Sequence, residues 1–157
     1  MKVKLAVIQN KSAAWADLAA SDYAKKIGAI ISFTEESIKS KSVDRADQES
    51  KKKFEGEAVL KKISSSDHLV LFDERGRQFN NSIEFSSALV KLLSSGKKSI
   101  VFVIGGPYGF SHELKERANE LISLSNLTMN HHLARVAALE QIYRGLAIYK
   151  NLPYHND

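Results

Sequence analysis

At 157 residues the chain has the length of one domain, and it can bury roughly 68–70% of its unfolded surface without covalent staples. It has no cysteine, which excludes a disulfide framework, a thiolate metal site and a cysteine nucleophile, and which suits a reducing cytoplasm. Its 23 basic and 18 acidic residues leave a formal charge of +5, a mild bias towards a polyanionic partner such as nucleic acid. No run approaches the ~20 apolar residues of a membrane span, and the opening run Val3–Ile8 is too short for a signal peptide.

Val3–Ile8 alternates and then becomes continuously apolar, as a partly buried strand does. Asn10-Lys11-Ser12 is a turn that offers Ser12 as a helix N-cap. From Ala13 to Ile27, Trp15, Leu18, Ala19 and Tyr23 fall at helical spacing, and Gly28 ends the helix. Trp15 and Tyr23 are read as core or rim packing in preference to a base-stacking platform. Ala29–Phe33 is read as the second strand. Residues 36–50 are polar and aperiodic, so they are expected to form an exposed loop. The functional alternative there is an RNA-contacting arm carrying Lys39, Lys41 and Arg45. A helix is expected from about Asp47 to Ile63, with Val59, Leu60 and Ile63 on a short apolar face.

Asp67–Asp73 reads as a buried third strand. Asp73 at its end is either a ligand-facing carboxylate or a turn cap. Asn80-Asn81-Ser82 caps a helix running to Ser95, with Phe85, Leu89, Leu92 and Leu93 turned inwards and Gly96 closing it. The strand 99–104 leads into Gly105-Gly106-Pro107-Tyr108-Gly109, a short helix opening at Ser111, another short strand and a last helix. This alternation predicts an α/β fold, a mostly parallel sheet with helices on both faces.

The glycine turn has neither phosphate-loop nor dinucleotide-fingerprint spacing. It still lets backbone approach a ligand after a buried strand, and a plain tight turn is the alternative. The last helix is apolar all round between Leu133 and Ile148, which predicts burial on several sides, with a second protomer as the expected cover. His131 and Arg135 form one i, i+4 pair, and Glu140 and Arg144 form another almost opposite. The second pair is either a structural salt bridge or part of a site shared across a two-fold axis. The tail Pro153-Tyr154-His155 carries a ring that can stack and an imidazole that can move a proton.

Taken in order, Ile104-Gly105-Gly106-Pro107-Tyr108-Gly109, Leu121–Ser125, Thr128, His131, Leu133-Ala134-Arg135, Leu139–Arg144 and Pro153-Tyr154-His155 resemble the ribosomal RNA large-subunit methyltransferase H family, small enzymes of the SPOUT class. The resemblance extends over nearly the whole chain, including Trp15, Tyr23 and Glu55-Gly56-Glu57. It departs at Asn130, where the family usually has proline, and at His132, where glutamine is common.

The resemblance implies one SPOUT domain over residues 1–157, with a C-terminal trefoil knot over about 98–157. It implies a cytoplasmic homodimer that needs no metal and is not membrane-bound. It implies S-adenosylmethionine as cofactor, held by Phe72, Gly105 and the run Leu124, Ser125, Asn126, Leu127, Thr128 and Met129. The implied reaction is N3-methylation of a pseudouridine in 23S rRNA on the assembled ribosome. Near the target base it suggests Arg144 and His155 with Tyr154, and Arg135, His131 and Glu140 as further candidates. A SPOUT-like enzyme acting on tRNA and a non-catalytic ribosome-binding α/β module are the alternatives.

Overall fold

The structure, a computed structural model, describes residues 1–40 and 47–156. Lys41 and Arg45 of the expected basic arm lie outside the described residues. The elements in chain order are β1 (Lys2–Ile8), α1 (Ala14–Gly28), β2 (Phe33–Ile38), α2 (Gln48–Leu60), β3 (His68–Arg77), α3 (Ser82–Leu93), β4 (Ser99–Ile104), α4 (His112–Arg117), β5 (Glu120–Ile122) and α5 (His131–Tyr149). The strands form one sheet in the order β2-β1-β4-β3-β5, and every pairing is parallel. After β2 the chain crosses to the far side to make β3, and β4 returns to fill the place between β1 and β3.

Side-chain alternation along the strands sorts the core into two layers. Val3, Leu5 and Val7 of β1, Val70 and Phe72 of β3, and Ile100, Phe102 and Ile104 of β4 face α1, α3 and α5. Ala6, Ile8, Leu69, Leu71, Val101 and Val103 face the opposite way, against Val59 of α2 and Leu114 of α4. Both faces are therefore covered, which explains why these strands read as nearly continuous apolar runs.

Most element types follow the sequence, and the differences have local reasons. The N-cap of α1 is Ala13, without a side-chain cap bond, so Ser12 does not fill that place. The buried side of α1 is made by Ala16, Ala20 and Ile27, whereas Trp15 and Leu18 are exposed. Small residues let α1 lie close to its neighbours, and the large apolar ones are left outside. The second strand is Phe33–Ile38, not Ala29–Phe33, so Glu36, expected in the loop, belongs with Glu35 to an edge strand. Its polar residues are tolerated because the edge is half solvated. Asp47 caps α2 by accepting from the Ser50 N–H at 3.0 Å. Asn81 caps α3 by accepting from Glu84 N–H at 2.9 Å.

β3 runs past Asp73 to Arg77, with its pairing to β5 interrupted between Phe72 and Arg77. Gly76 makes the renewed pairing possible, since a Cβ there would sit 2.5 Å from the Leu121 carbonyl carbon. Within the chain α5 packs against α1 on one side and α3 on another, above the β4 face of the sheet, while its Leu133 and Tyr149 stay exposed. Close approach to α3 depends on Gly145, whose carbonyl accepts from the buried Ser86 hydroxyl at 2.6 Å. Among the described residues no helix is long and apolar enough to cross a membrane.

Candidate active site

Phe72 of β3 is level with Ile104 of β4 on one side and Ile122 of β5 on the other, so β4 and β5 end beside the point where β3 breaks its pairing. Carboxyl ends of parallel strands are where open α/β sheets leave room for ligands. A cavity of about 310 Å³ opens there, within the usual size of small-molecule sites. Its floor includes Phe72, which stacks on Phe102 with ring centres 5.6 Å apart. One wall is the turn Gly105–Phe110, and another is formed by Leu124, Ser125, Leu127, Thr128 and Met129. Asp73, Glu74, Arg75, His131 and Ala134 complete it.

The turn has its glycines for visible reasons. A Cβ on Gly105 would come within 2.9 Å of the Phe110 ring, and Gly109 adopts φ +81°, which L side chains rarely tolerate. The opposite wall is tied by serines. Ser123 Oγ donates to the Ser125 carbonyl at 2.9 Å, and Ser125 Oγ accepts from the Leu127 N–H at 3.0 Å. Asn130 then caps α5 by accepting from His132 N–H at 2.9 Å. Asparagine therefore does useful work at the position where a proline is usual in the resembling family.

Two charged groups border the cavity in defined states. Burial pushes the Asp73 carboxyl up, but the Arg75 N–H at 2.9 Å and the Lys115 ammonium at 3.1 Å outweigh it and hold it below the ordinary aspartate value. Burial, helped by the neighbouring His132 and Lys51, pushes His131 down, which favours its neutral form. His131 and His132 lie with ring centres 4.0 Å apart.

The expected site residues fall into three groups. The first lines the cavity: Phe72, Gly105, Leu124, Ser125, Leu127, Thr128, Met129 and His131. Asn126 does not line it; its side chain accepts from Gln78 instead. The second group is Arg135 alone. It is buried and clamped between β2 and α1, donating through Nε to Glu35 at 3.0 Å and through Nη1 to Asp17 at 2.6 Å. Arg135, expected near a target base, has its guanidinium held by these two carboxylates.

The third group is Glu140, Arg144, Tyr154 and His155. Arg144 donates to Glu140 Oε1, with its Nε at 3.0 Å, and lies over the Tyr154 ring at 4.8 Å. Tyr154 donates to the same carboxylate oxygen at 2.9 Å, so the Tyr23 hydroxyl, 3.0 Å away, is the donor to Tyr154. Gln141 holds the other oxygen, Oε2, at 2.7 Å. Burial, together with the Tyr23 and Glu140 hydrogen bonds, pushes the Tyr154 phenol well above its ordinary value, so it remains a neutral donor. Arg144 Nη1 stands 3.4 Å from His155 Nδ1.

This third group does not line the cavity. Arg144 is thirteen residues beyond His131 on α5, roughly 20 Å along a helix axis. Tyr23 and Gln141 belong to the group too, though their sequence context alone assigns them no site role: Tyr23 bonds Tyr154, and Gln141 bonds Glu140. Arg75 and Glu74 were hidden because β3 extends beyond its apolar run. Among the described residues no group of three or more His, Cys, Asp or Glu side chains could hold a metal ion.

A parallel sheet with its cavity at the strand ends, and a conformationally tight glycine turn, agree with a family model described as a predicted SPOUT methyltransferase, which matches residues 1–155. The chain belongs to this SPOUT methyltransferase family. More particularly, it is similar to proteins named ribosomal RNA large subunit methyltransferase H. That of Bdellovibrio bacteriovorus is 44% identical over 142 residues, covering 90% of both chains. That of Flavobacterium johnsoniae is 40% identical over 157 residues, covering 99% of both. That of Parabacteroides distasonis is 40% identical over 158 residues and covers the full length of both.

Proposed function

We propose that this protein is a cytoplasmic, homodimeric enzyme that methylates N3 of a pseudouridine in 23S rRNA of the assembled large ribosomal subunit, with S-adenosylmethionine as donor. In this reading residues 1–157 form one SPOUT domain, with a trefoil knot over about 98–157. The observation that carries it is the cavity between the Gly105–Phe110 turn and the 124–129 wall, in a chain related over its full length to ribosomal RNA methyltransferases.

The cavity fits the cofactor chemically. An adenine can lie between apolar walls and be read by the backbone of the 124–129 segment, and the glycine turn admits close approach. When bound, S-adenosylmethionine supplies a methyl group already activated on a sulfonium. The residues therefore have to orient a nucleophile and remove its proton. Arg144, held rigid by Glu140, favours the anionic imide and hydrogen-bonds its carbonyl oxygens. His155 accepts the imide proton, directly or through water, and neutral Tyr154 positions the base.

The separation along α5 supports a reading in which two copies share each site. One protomer supplies the cofactor cavity, and its partner supplies the Arg144 group. Exposed apolar side chains support such an interface. Trp15 and Leu18 on α1 and Leu133 at the start of α5 are exposed, the Trp15 ring lies 6.4 Å from His132, and Leu127 and Met129 are exposed just before α5.

The test is methyl transfer to assembled ribosomes, free rRNA and tRNA, followed by nucleoside mass spectrometry. N3-methylpseudouridine arising only on assembled ribosomes is expected. Label appearing in tRNA, or in no RNA at all, refutes the assignment.

A further inference from the structure

Glu55 has no part in the scheme above, yet its setting is unusual. It lies on α2, only 4% exposed, and its Oε2 has no hydrogen-bond partner. Its carboxyl is wedged against the back of the glycine turn: both oxygens lie 2.6 Å from where a Gly106 Cβ would be. Gly106 lines the cavity and Glu55 does not, so the carboxyl sits just behind the lining. The next residue fixes the helix there, since a Cβ on Gly56 would strike the Ser111 hydroxyl at 2.2 Å.

An orphaned carboxyl costs stability when charged and buried, so its place needs a reason. Burial pushes its pKa up, and Lys51, one turn earlier on the same helix, opposes this. Lys51 itself lies over the Tyr108 ring at 5.3 Å. The remaining charged groups around the cavity are the Asp73–Lys115 pair, exposed Glu74 and Arg75, and His131. Asp73 is neutralised by Lys115, which leaves Glu55 as the buried carboxylate without a paired cation among these groups.

We propose that Glu55 is the charge selector of the cofactor site: through the Gly106 backbone, its carboxylate favours the sulfonium-bearing methyl donor over the demethylated product. S-adenosylmethionine carries one positive charge more than S-adenosylhomocysteine. A fixed negative charge behind the turn therefore binds the donor more tightly and lets the spent product leave. The inference rests on the cavity being the S-adenosylmethionine site.

Calorimetry of the intact protein with each compound tests it. Glu55→Gln raises the donor Kd on the order of tenfold, the scale of a charge pair about 10 Å apart at intermediate dielectric. It leaves the product Kd unchanged, and Glu55→Asp restores the wild-type ratio. Equal weakening of both compounds means that Glu55 only packs the turn, and overturns the proposal, as does an unchanged ratio. A wild-type protein that binds neither compound overturns the reading of the cavity as well.

A second measurement needs no variant. The carbon-13 carboxyl shift of Glu55 is titrated in the wild-type protein, free and with each compound. The donor lowers the Glu55 pKa more than the product does; equal values with both overturn the proposal.

Discussion

Arg144 stands at the centre of a network in which every partner has a distinct duty. Glu140 Oε1 receives both the guanidinium and the Tyr154 hydroxyl, and Gln141 holds Oε2, so the carboxylate cannot rotate away. The arginine presents a planar fork, whereas lysine would present a single ammonium. Arg144→Ala is therefore expected to slow single-turnover methyl transfer by on the order of 10²-fold, the usual effect of losing one group that stabilises developing charge. Arg144→Lys should recover only part of that loss. Because the group lies outside the cavity, cofactor affinity measured by calorimetry should hardly change in either variant. Arg135 is the instructive contrast. It has the same side chain on the same helix, but its carboxylate partners come from α1 and β2, and its work is to tie three elements together.

At the scale of elements, the site is made where β3 and β5 rejoin after the Asp73–Arg75 excursion. The excursion lines the cavity, and β5 launches the 124–129 wall, so the renewed pairing connects two walls of one site. Gly76 allows it. Gly76→Ala would drive a methyl group into the Leu121–Ile122 backbone, which cannot swing aside as a flexible side chain can. The expected cost is about 2 kcal/mol, in the range of overpacked cores, read from urea unfolding. Cofactor binding should weaken in the same variant, because β5 and the wall that follows it must shift. The apolar run of β3 told where the strand begins, but its polar continuation to Arg77 did not read as a strand. That continuation is decided by the partner strand, not by local propensity. The edge strand β2 was displaced for a related reason: its carboxylates Glu35 and Glu36 are held by Arg135, Lys4 and Lys62 from other elements.

For the whole molecule, the decisive feature is that the cavity and the Arg144 group lie on different parts of α5. If each working site combines the cavity of one protomer with the Arg144 group of its partner, two inactive variants should complement each other. Gly105→Val blocks the cavity, because even a Cβ meets the Phe110 ring. Arg144→Ala empties the other half. Each variant alone should keep no more than about a hundredth of wild-type activity. After unfolding and refolding together they should regain about a quarter of wild-type activity, because random pairing makes half of the dimers mixed and each mixed dimer restores one of two sites. No recovery in a mixture shown to exchange subunits would place the whole site within one chain.

The sequence by itself determined the α/β class, most helix boundaries, the cap of α3 within Asn80-Asn81-Ser82 and the ordered motifs that resemble one methyltransferase family. These follow from short-range patterns, in which a residue and its reason lie within a turn or two of each other. The tertiary structure alone decided the role of Arg135, whose partners lie 100 and 118 residues away. It alone decided that α5 is covered by α1 and α3, and that Trp15 and Leu18 stay outside. It alone brought Glu55 behind Gly106. Periodicity records how a segment is divided between apolar and polar faces. Which distant segment meets each face is settled only when the chain packs, because burial and charge pairing depend on neighbours in space.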